Sequence, residues 1–253
     1  MDAPDTPNHG RESEDFWNQW NRDWRFRSDI DPFMRRQLEI VADVARAENL
    51  RQARILGFGC GTGWMENSLV GCGEVWGTDL SPEAIAEGQR RYPGLHLRCC
   101  DFLREALPGP FDLVLSSDSL VPMADHAECI RRVAELVRPG GVFLLMTQNP
   151  FVWARRSRFR PVPSGIPPPT PDTWPTPGRV RELLQPWFTI EREFTFEPGG
   201  DQGVLWWIEN DAVTRMAHGL LGEYRWRRLL EGAGLGRELV FIARRREGAT
   251  AAG

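Results

Sequence analysis

Lysine is absent: all 31 basic side chains of this 253-residue chain are arginine. Arginine forms no Schiff base, does not replace a phosphate-loop lysine and does not give up its proton. Imine chemistry, including that of pyridoxal phosphate, is therefore excluded, as are P-loop and kinase phosphoryl transfer and any lysine general base. The absence itself reads as GC-rich codon usage. Cysteine is scarce and without pattern: Cys60, Cys72, Cys99, Cys100 and Cys129 are odd in number and form no CxxC and no His/Cys metal spacing. Neither a disulfide framework nor a bound metal is expected. No apolar run approaches the roughly 20 residues of a membrane span, and the opening MDAPDTPNHGRESED is polar and acidic, unlike a secretory leader. A cytoplasmic protein with reduced thiols and no membrane partner is expected. The net charge of -4 gives no field that would hold a polyanion, which disfavours nucleic acid as a partner.

What is present suffices for a sizeable core, since 41% of the residues are hydrophobic and 26% charged. After a polar start, Phe16, Trp17, Trp20, Trp24 and Phe26 give one aromatic-faced helix, and Met34, Leu38, Val41 and Ala45 form the apolar stripe of a second, with Asp31 and Pro32 at its start. From Arg54 onward, short apolar runs (ARILGF, EVWGTD, HLRCCDF, FDLVLSS, GVFLLMT) alternate with helical segments (WMENSLV, SPEAIAEGQRRY, DHAECIRRVAELV). Ser81 and Asp125 are their N-caps. That alternation predicts a doubly wound, mainly parallel sheet. Eight prolines between Pro161 and Pro177 interrupt it and read as a long loop or lid. The helix GRVRELLQ, the strand FTIEREFTF, a helical excursion from about Asp201 to Gly232 and the strand GRELVFIARR follow. The expected organisation is an N-terminal tail and helical cap (1–48), a core (49–149) and a C-terminal part of the same domain (150–253) that carries the lid, the last strands and a helical substrate insertion.

The segment 55–63 reads Ile-Leu-Gly-Phe-Gly-Cys-Gly-Thr-Gly, a strand entering glycines 57, 59, 61 and 63 ahead of a helix. Backbone without side chains admits a ligand closely and presents free N–H groups. GxGxxG is not satisfied from Gly57 or from Gly59, which lowers a nicotinamide dinucleotide reading. The next strand ends at Asp79, where a carboxylate can accept from both hydroxyls of a ribose, and the following one at Asp101-Phe102, suited to the edge and face of an adenine.

Five motifs in order, ILGFGCGTG, GTDLSPEAIAEG, CCDF, FDLVLSSDSL and VAELVRPGGVFLL, make residues 34–148 resemble the class I S-adenosylmethionine-dependent methyltransferases of the small-molecule type. The resemblance implies an α/β, Rossmann-like, seven-stranded, mainly parallel sheet with helices on both faces, an N-terminal helical cap and inserted lid segments. It implies S-adenosyl-L-methionine as cofactor and S-adenosyl-L-homocysteine as product. By resemblance Gly59, Gly61 and Gly63 border the methionine part, Asp79 binds ribose, Asp101 with Phe102 binds adenine and the strand end Ser116, Ser117, Asp118 faces the methionine amino group; Gly57, Cys60 and Leu80 complete the cofactor set. One position departs: the family's Asp or Glu two residues before the second glycine of the cradle is Gly57 here. Water and backbone carbonyls, another acid such as Glu66 or Asp118, or weaker cofactor binding are the alternatives.

Methyl transfer from a sulfonium is an in-line displacement, so the protein must chiefly align the reactants and exclude water. A base serves an oxygen acceptor, and Asp118, His126 and His218 are the candidates; His9 and His96 are expected to be inert. The nucleophilic-cysteine route of pyrimidine-C5 methyltransferases lacks its PC and TC sites, and the metal-dependent catechol type lacks its lysine. Trp17, Trp20, Trp24, Trp153 and Trp206 lie outside the predicted sheet and suit a flat apolar acceptor. The arginines at 155, 156, 158 and 160 and at 225–228 read as solvated faces or as recognition of a carboxylate, phosphate or acyl-carrier group. The function expected is O-methylation of a small, largely hydrophobic metabolite in natural-product biosynthesis. The alternatives are N- or C-methylation, or a cofactor-binding protein of this fold that assists another reaction such as cyclisation. Neither the acceptor nor the oligomeric state is legible.

Overall fold

Asp31 starts helix α1 (Pro32–Ala47): its carboxylate accepts from the N–H of Met34 at 2.7 Å, and Pro32 fills the first turn, where a missing N–H costs nothing. The structure is a computed structural model and describes residues 15, 17–19, 21–22, 30–155, 174–200 and 202–248. The buried face of α1 is Gln37, Ile40, Val41, Val44 and Ala45. It is rotated from the expected stripe, because Ile40 and Val44 go inward where Met34 and Leu38 stay half-buried.

Seven strands follow in the order β3-β2-β1-β4-β5-β7-β6, and the α/β alternation that leads to them is the one the sequence predicts. They are β1 (Ala53–Phe58), β2 (Gly73–Asp79), β3 (His96–Cys99), β4 (Phe111–Ser117), β5 (Val137–Gln148), β6 (Phe188–Pro198) and β7 (Gly236–Arg245). The chain forms two compact units. One gathers the described residues up to 52 with Leu56–Glu105, and the other gathers Ala53–Ile55 with 106–155 and 174–248.

In the first unit β2 pairs parallel to β3, from Trp76 opposite His96 to Asp79 opposite Cys99. Helix α2 (Pro82–Arg91) connects them, and Ser81 caps it by accepting from the N–H of Ala84 at 3.0 Å. His96 stacks on Trp76 with ring centroids 4.7 Å apart. The segment WMENSLV, expected as an α-helix, instead forms a tight 3-10 turn over Glu66–Cys72. Gly73, at φ 153°, follows it as the C-cap.

In the second unit β4 runs parallel to β5, joined by α3 (His126–Leu136), whose N-cap Asp125 accepts from the N–H groups of Ala127 and Glu128. Val142, Phe143, Leu144, Leu145 and Met146 of β5 are all buried, as a central strand covered on both faces requires. Strand β7 lies antiparallel to β5 and pairs with β6, also antiparallel. The short helix α4 (Pro150–Trp153) follows β5, and α5 (Pro177–Leu184) precedes β6. The helical excursion between β6 and β7 is α6 (Val204–Glu209), α7 (Asp211–Leu221) and α8 (Glu223–Gly232). Among the described residues no helix is long and apolar enough to cross a membrane.

Candidate active site

Leaving β1, the chain turns through Gly59, Gly61 and Gly63 at φ 62°, 55° and 77°, left-handed values that an L side chain resists. The turn is stitched to the end of β2: the N–H of Cys60 donates to the carbonyl of Thr78 at 3.0 Å, and the N–H of Gly61 to Asp79 Oδ2 at 2.8 Å. Asp79 Oδ1 accepts from the N–H of Ser81 at 2.9 Å. One carboxylate thus ties the glycine turn to the start of α2 and keeps some acceptor capacity for a ligand. Burial raises the Asp79 carboxyl above its ordinary range, while the N–H groups of Ser81, Gly61 and Leu80 pull it back. Burial likewise pushes the Cys60 thiol far up, and the Glu66 and Asp79 charges add to the rise, so this cysteine is no nucleophile.

The space beside Gly57 is taken by Glu66. A Cβ on Gly57 would lie 2.0 Å from Glu66 Oε1 and 2.6 Å from its Cδ and Cγ. Glu66 is 3% exposed, and its Oε2 has no hydrogen-bond partner. Burial pushes its carboxyl up to about 8, against the pull of its own backbone N–H and with a further push from Asp79. Of the two acids considered for the departure at Gly57, it is Glu66 whose side chain fills the space beside that glycine.

Two asparagines that the sequence did not single out belong to the same unit. Asn18 is buried and accepts from Ser81 Oγ at 2.6 Å. Asn21 is buried too, and its Oδ1 would lie 3.3 Å from a Cβ on Gly61. Arg22 holds both oxygens of Glu83 in α2, at 2.6 and 2.8 Å. Trp17, half-buried, lies in this helical stretch, and its carbonyl accepts from Asn21 Nδ2. Nothing in an isolated Asn marks it as buried, so only the folded chain identifies these two. Leu80 remains 39% exposed just beyond β2, and its carbonyl accepts from Cys99 Sγ at 3.7 Å. Asp101 accepts from the N–H of Leu103 at 3.0 Å and meets Arg104 at 3.3 Å. The ring of Phe102 is buried and stacks on Phe58 with centroids 4.4 Å apart.

In the second unit Ser117 ends β4, and Asp118 follows with φ 61°, an uncommon value for a residue with a side chain. Ser117 Oγ donates to Asp118 Oδ2 at 3.3 Å. Asp118 Oδ1 and Glu238 Oε2 are both buried without a donor, and the two carboxyls are within hydrogen-bond reach of each other. Such a pair needs a proton, and Glu238 supplies it. Burial first, and then the charge and hydrogen bond of Asp118, raise the Glu238 carboxyl well above its ordinary range, opposed by Arg237 and by the Trp153 indole. Trp153 Nε1 also donates to the carbonyl of Arg237 at 3.1 Å, and its ring meets Trp174 edge-on at 5.8 Å. His126, first residue of α3, has Nε2 3.5 Å from the carbonyl of Val121. His218 is half-buried in the last turn of α7, and Trp206 in α6 is 47% exposed. Trp20, Trp24, Arg156, Arg158, Arg160 and most of the proline segment lie outside the described residues. Sequence reasoning missed Glu238, because the strand GRELVFIARR reads as core and its one inward acid has no local mark.

The methyltransferase-domain family matches residues 13–193, more than half of the chain. This chain belongs to the class I S-adenosylmethionine-dependent methyltransferases. Among curated relatives it is 32% identical over 117 residues to the ubiquinone biosynthesis O-methyltransferase of Sodalis glossinidius (strain morsitans), covering 43% of this chain and 47% of that one. It is 34% identical over 112 residues to the malonyl-[acyl-carrier protein] O-methyltransferase of Enterobacter lignolyticus (strain SCF1), covering 41% and 42%. The aligned stretch thus spans less than half of those relatives. Among solved structures, the magnesium protoporphyrin IX methyltransferase of Synechocystis PCC 6803, with S-adenosylhomocysteine bound, superposes with a TM-score of 0.62 at 16% identity over 94% of this chain and 100% of that one.

The residues present fit the cofactor of this methyltransferase family. Gly59, Gly61 and Gly63 leave room for close backbone approach, Asp79 keeps acceptor capacity for a ligand hydroxyl, and the orphaned buried oxygen of Glu66 calls for a cation. In this chain the place beside Gly57 is filled by the carboxyl of Glu66 from the 3-10 turn.

Proposed function

We propose that this protein is a methyltransferase that moves a methyl group from S-adenosylmethionine to an oxygen of a small, largely hydrophobic metabolite. The observation that carries the reading is the glycine turn closed by Asp79, which leaves acceptor capacity at the end of β2 beside three side-chain-free positions. When bound, the cofactor supplies an activated methyl on a sulfonium. The chain's own residues must then place the acceptor, exclude water and take a proton. Asp118 suits proton removal, being half-buried at the end of β4 with Glu238 behind it to hold or share the proton. His126 and His218 are the secondary candidates for that role. Trp153, packed edge-on against Trp174 in the same unit, offers apolar indole surface, which suits an apolar acceptor. The O-methyltransferases among the curated relatives support oxygen as the target, and the one that acts on malonyl-[acyl-carrier protein] supports a carrier-bound acyl group as a variant of the acceptor. The test is turnover: isotope-labelled cofactor is incubated with candidate phenols, carboxylic acids and acyl-carrier thioesters, and the product's labelled position is read by mass spectrometry. Label on oxygen supports the proposal, and label on nitrogen or carbon refutes the oxygen assignment.

A further inference from the structure

Glu66 is a buried acid without a counter-charge. It is 3% exposed and its Oε2 has no partner. The titratable groups that act on it or on its neighbour Cys60 are Asp79 at the end of β2, which repels it, the Cys60 thiol of the glycine turn and, acting on Cys60, the Cys100 thiol just beyond β3; no arginine is among them. A buried carboxyl facing a second carboxyl is stable only if it keeps its proton or receives a cation. Its position is equally specific. The side chain crosses from the 3-10 turn into the place that a side chain on Gly57 would occupy, at 2.0 Å from the ideal Cβ, so one of the two positions must be glycine for the other to reach the turn.

We infer that Glu66 receives the ammonium group of the cofactor in this chain and gives up a proton when it does so, which couples cofactor binding to proton release. This rests on the reading of the glycine turn as the cofactor's cradle. In the free protein at neutral pH, the carboxyl, pushed up to about 8, is protonated. An ammonium brought against it favours the carboxylate, and the proton leaves to solvent. Below about pH 8 the affinity for an ammonium ligand therefore rises with pH, by up to about tenfold per pH unit, and then levels off.

The experiment is calorimetric titration of S-adenosylhomocysteine into the full chain, in buffers of different ionisation enthalpy, at about pH 6.5 and about pH 8.5. 5′-Methylthioadenosine, which keeps the nucleoside and sulfur but lacks the amino acid, is the control ligand. Expected are release of close to one proton at the lower pH and little at the higher for S-adenosylhomocysteine, and none at either pH for the control. Glu66→Gln should abolish the release and flatten the pH dependence. Glu66→Ala should weaken S-adenosylhomocysteine at least about tenfold at the higher pH, and Gly57→Asp added to Glu66→Ala should restore binding, because the new carboxylate enters the vacated space. That reciprocal rescue is not expected of a merely structural Glu66. Binding of S-adenosylhomocysteine by the wild type without proton release, or unchanged release in Glu66→Gln, overturns the inference while the cofactor reading stands. Failure of the wild type to bind either ligand overturns both.

Discussion

In the unit built on β2 and β3, polar side chains turn inward and close on the glycine turn: Asp79 holds Gly61 and Ser81, and Ser81 holds Asn18 and caps α2. In the unit built on β4 to β7, helices α6, α7 and α8 turn Trp206, Trp207, Met216, Leu220, Tyr224 and Leu229 outward, Leu220 to 77%. The first unit uses its hydrogen bonds to fix backbone N–H groups in place, as a site for one constant ligand requires. The second exposes several large apolar side chains among its described residues, a feature that often has a functional reason where such side chains adjoin. The two units thus differ in chemistry, one holding backbone N–H groups by buried polar side chains and the other exposing large apolar ones.

The contrast breaks most sharply at Asp79. Asp79→Ala removes the acceptor of two backbone N–H groups and of any ligand diol, and affinity for S-adenosylhomocysteine should fall at least about 100-fold, about 3 kcal/mol. Calorimetry of the variant checks this, and the melting transition of the same sample separates lost binding from lost folding. Next is Gly57→Ala, whose added Cβ has no space beside Glu66. It should destabilise by about 1–3 kcal/mol in urea unfolding, whereas Gly232→Ala in α8, where a Cβ meets nothing, should not destabilise.

A pH series sharpens the comparison further. Because the folded-state carboxyl of Glu66 lies above its unfolded value of 4.5, its contribution to stability is fully present below about pH 4.5 and is lost as pH rises toward 8. The ligand-free protein should lose stability across that window by up to about 1 kcal/mol per pH unit, and Glu66→Gln should reduce the slope. The smallest effect belongs to the exposed face. Trp206→Ala with Trp207→Ala should change unfolding free energy by less than about 0.5 kcal/mol per site while raising the acceptor KM; an unchanged KM would remove these indoles from acceptor binding.

The cradle was legible because its signals are local. Glycines at left-handed positions, Ser81 before Pro82 and an acid at a strand end each report a backbone requirement within a few residues. The mainly parallel sheet followed from the α/β alternation, whereas the antiparallel placement of β7 is a feature that the apolar run GRELVFIARR does not announce. The replacement at Gly57 was half legible: the missing acid showed in the motif, but that Glu66 rather than Asp118 fills the gap depends on how tightly the 3-10 turn folds back. Glu238, Asn18 and Asn21 were illegible, since Asn18 meets Ser81, Asn21 lies against Gly61 and Glu238 meets Asp118 only once folding brings distant parts of the chain together. The acceptor side shows only composition, tryptophan and arginine outside the sheet, and composition does not assign contacts.

The central claim, that this chain's glycine turn is a working S-adenosylmethionine cradle, is tested most directly by calorimetric titration of S-adenosylhomocysteine into the wild-type protein near pH 8. The account predicts saturable one-to-one binding with a Kd on the order of micromolar, lost in Asp79→Ala. No heat of binding at ligand concentrations on the order of millimolar, from protein shown to be folded by its melting transition, would contradict it.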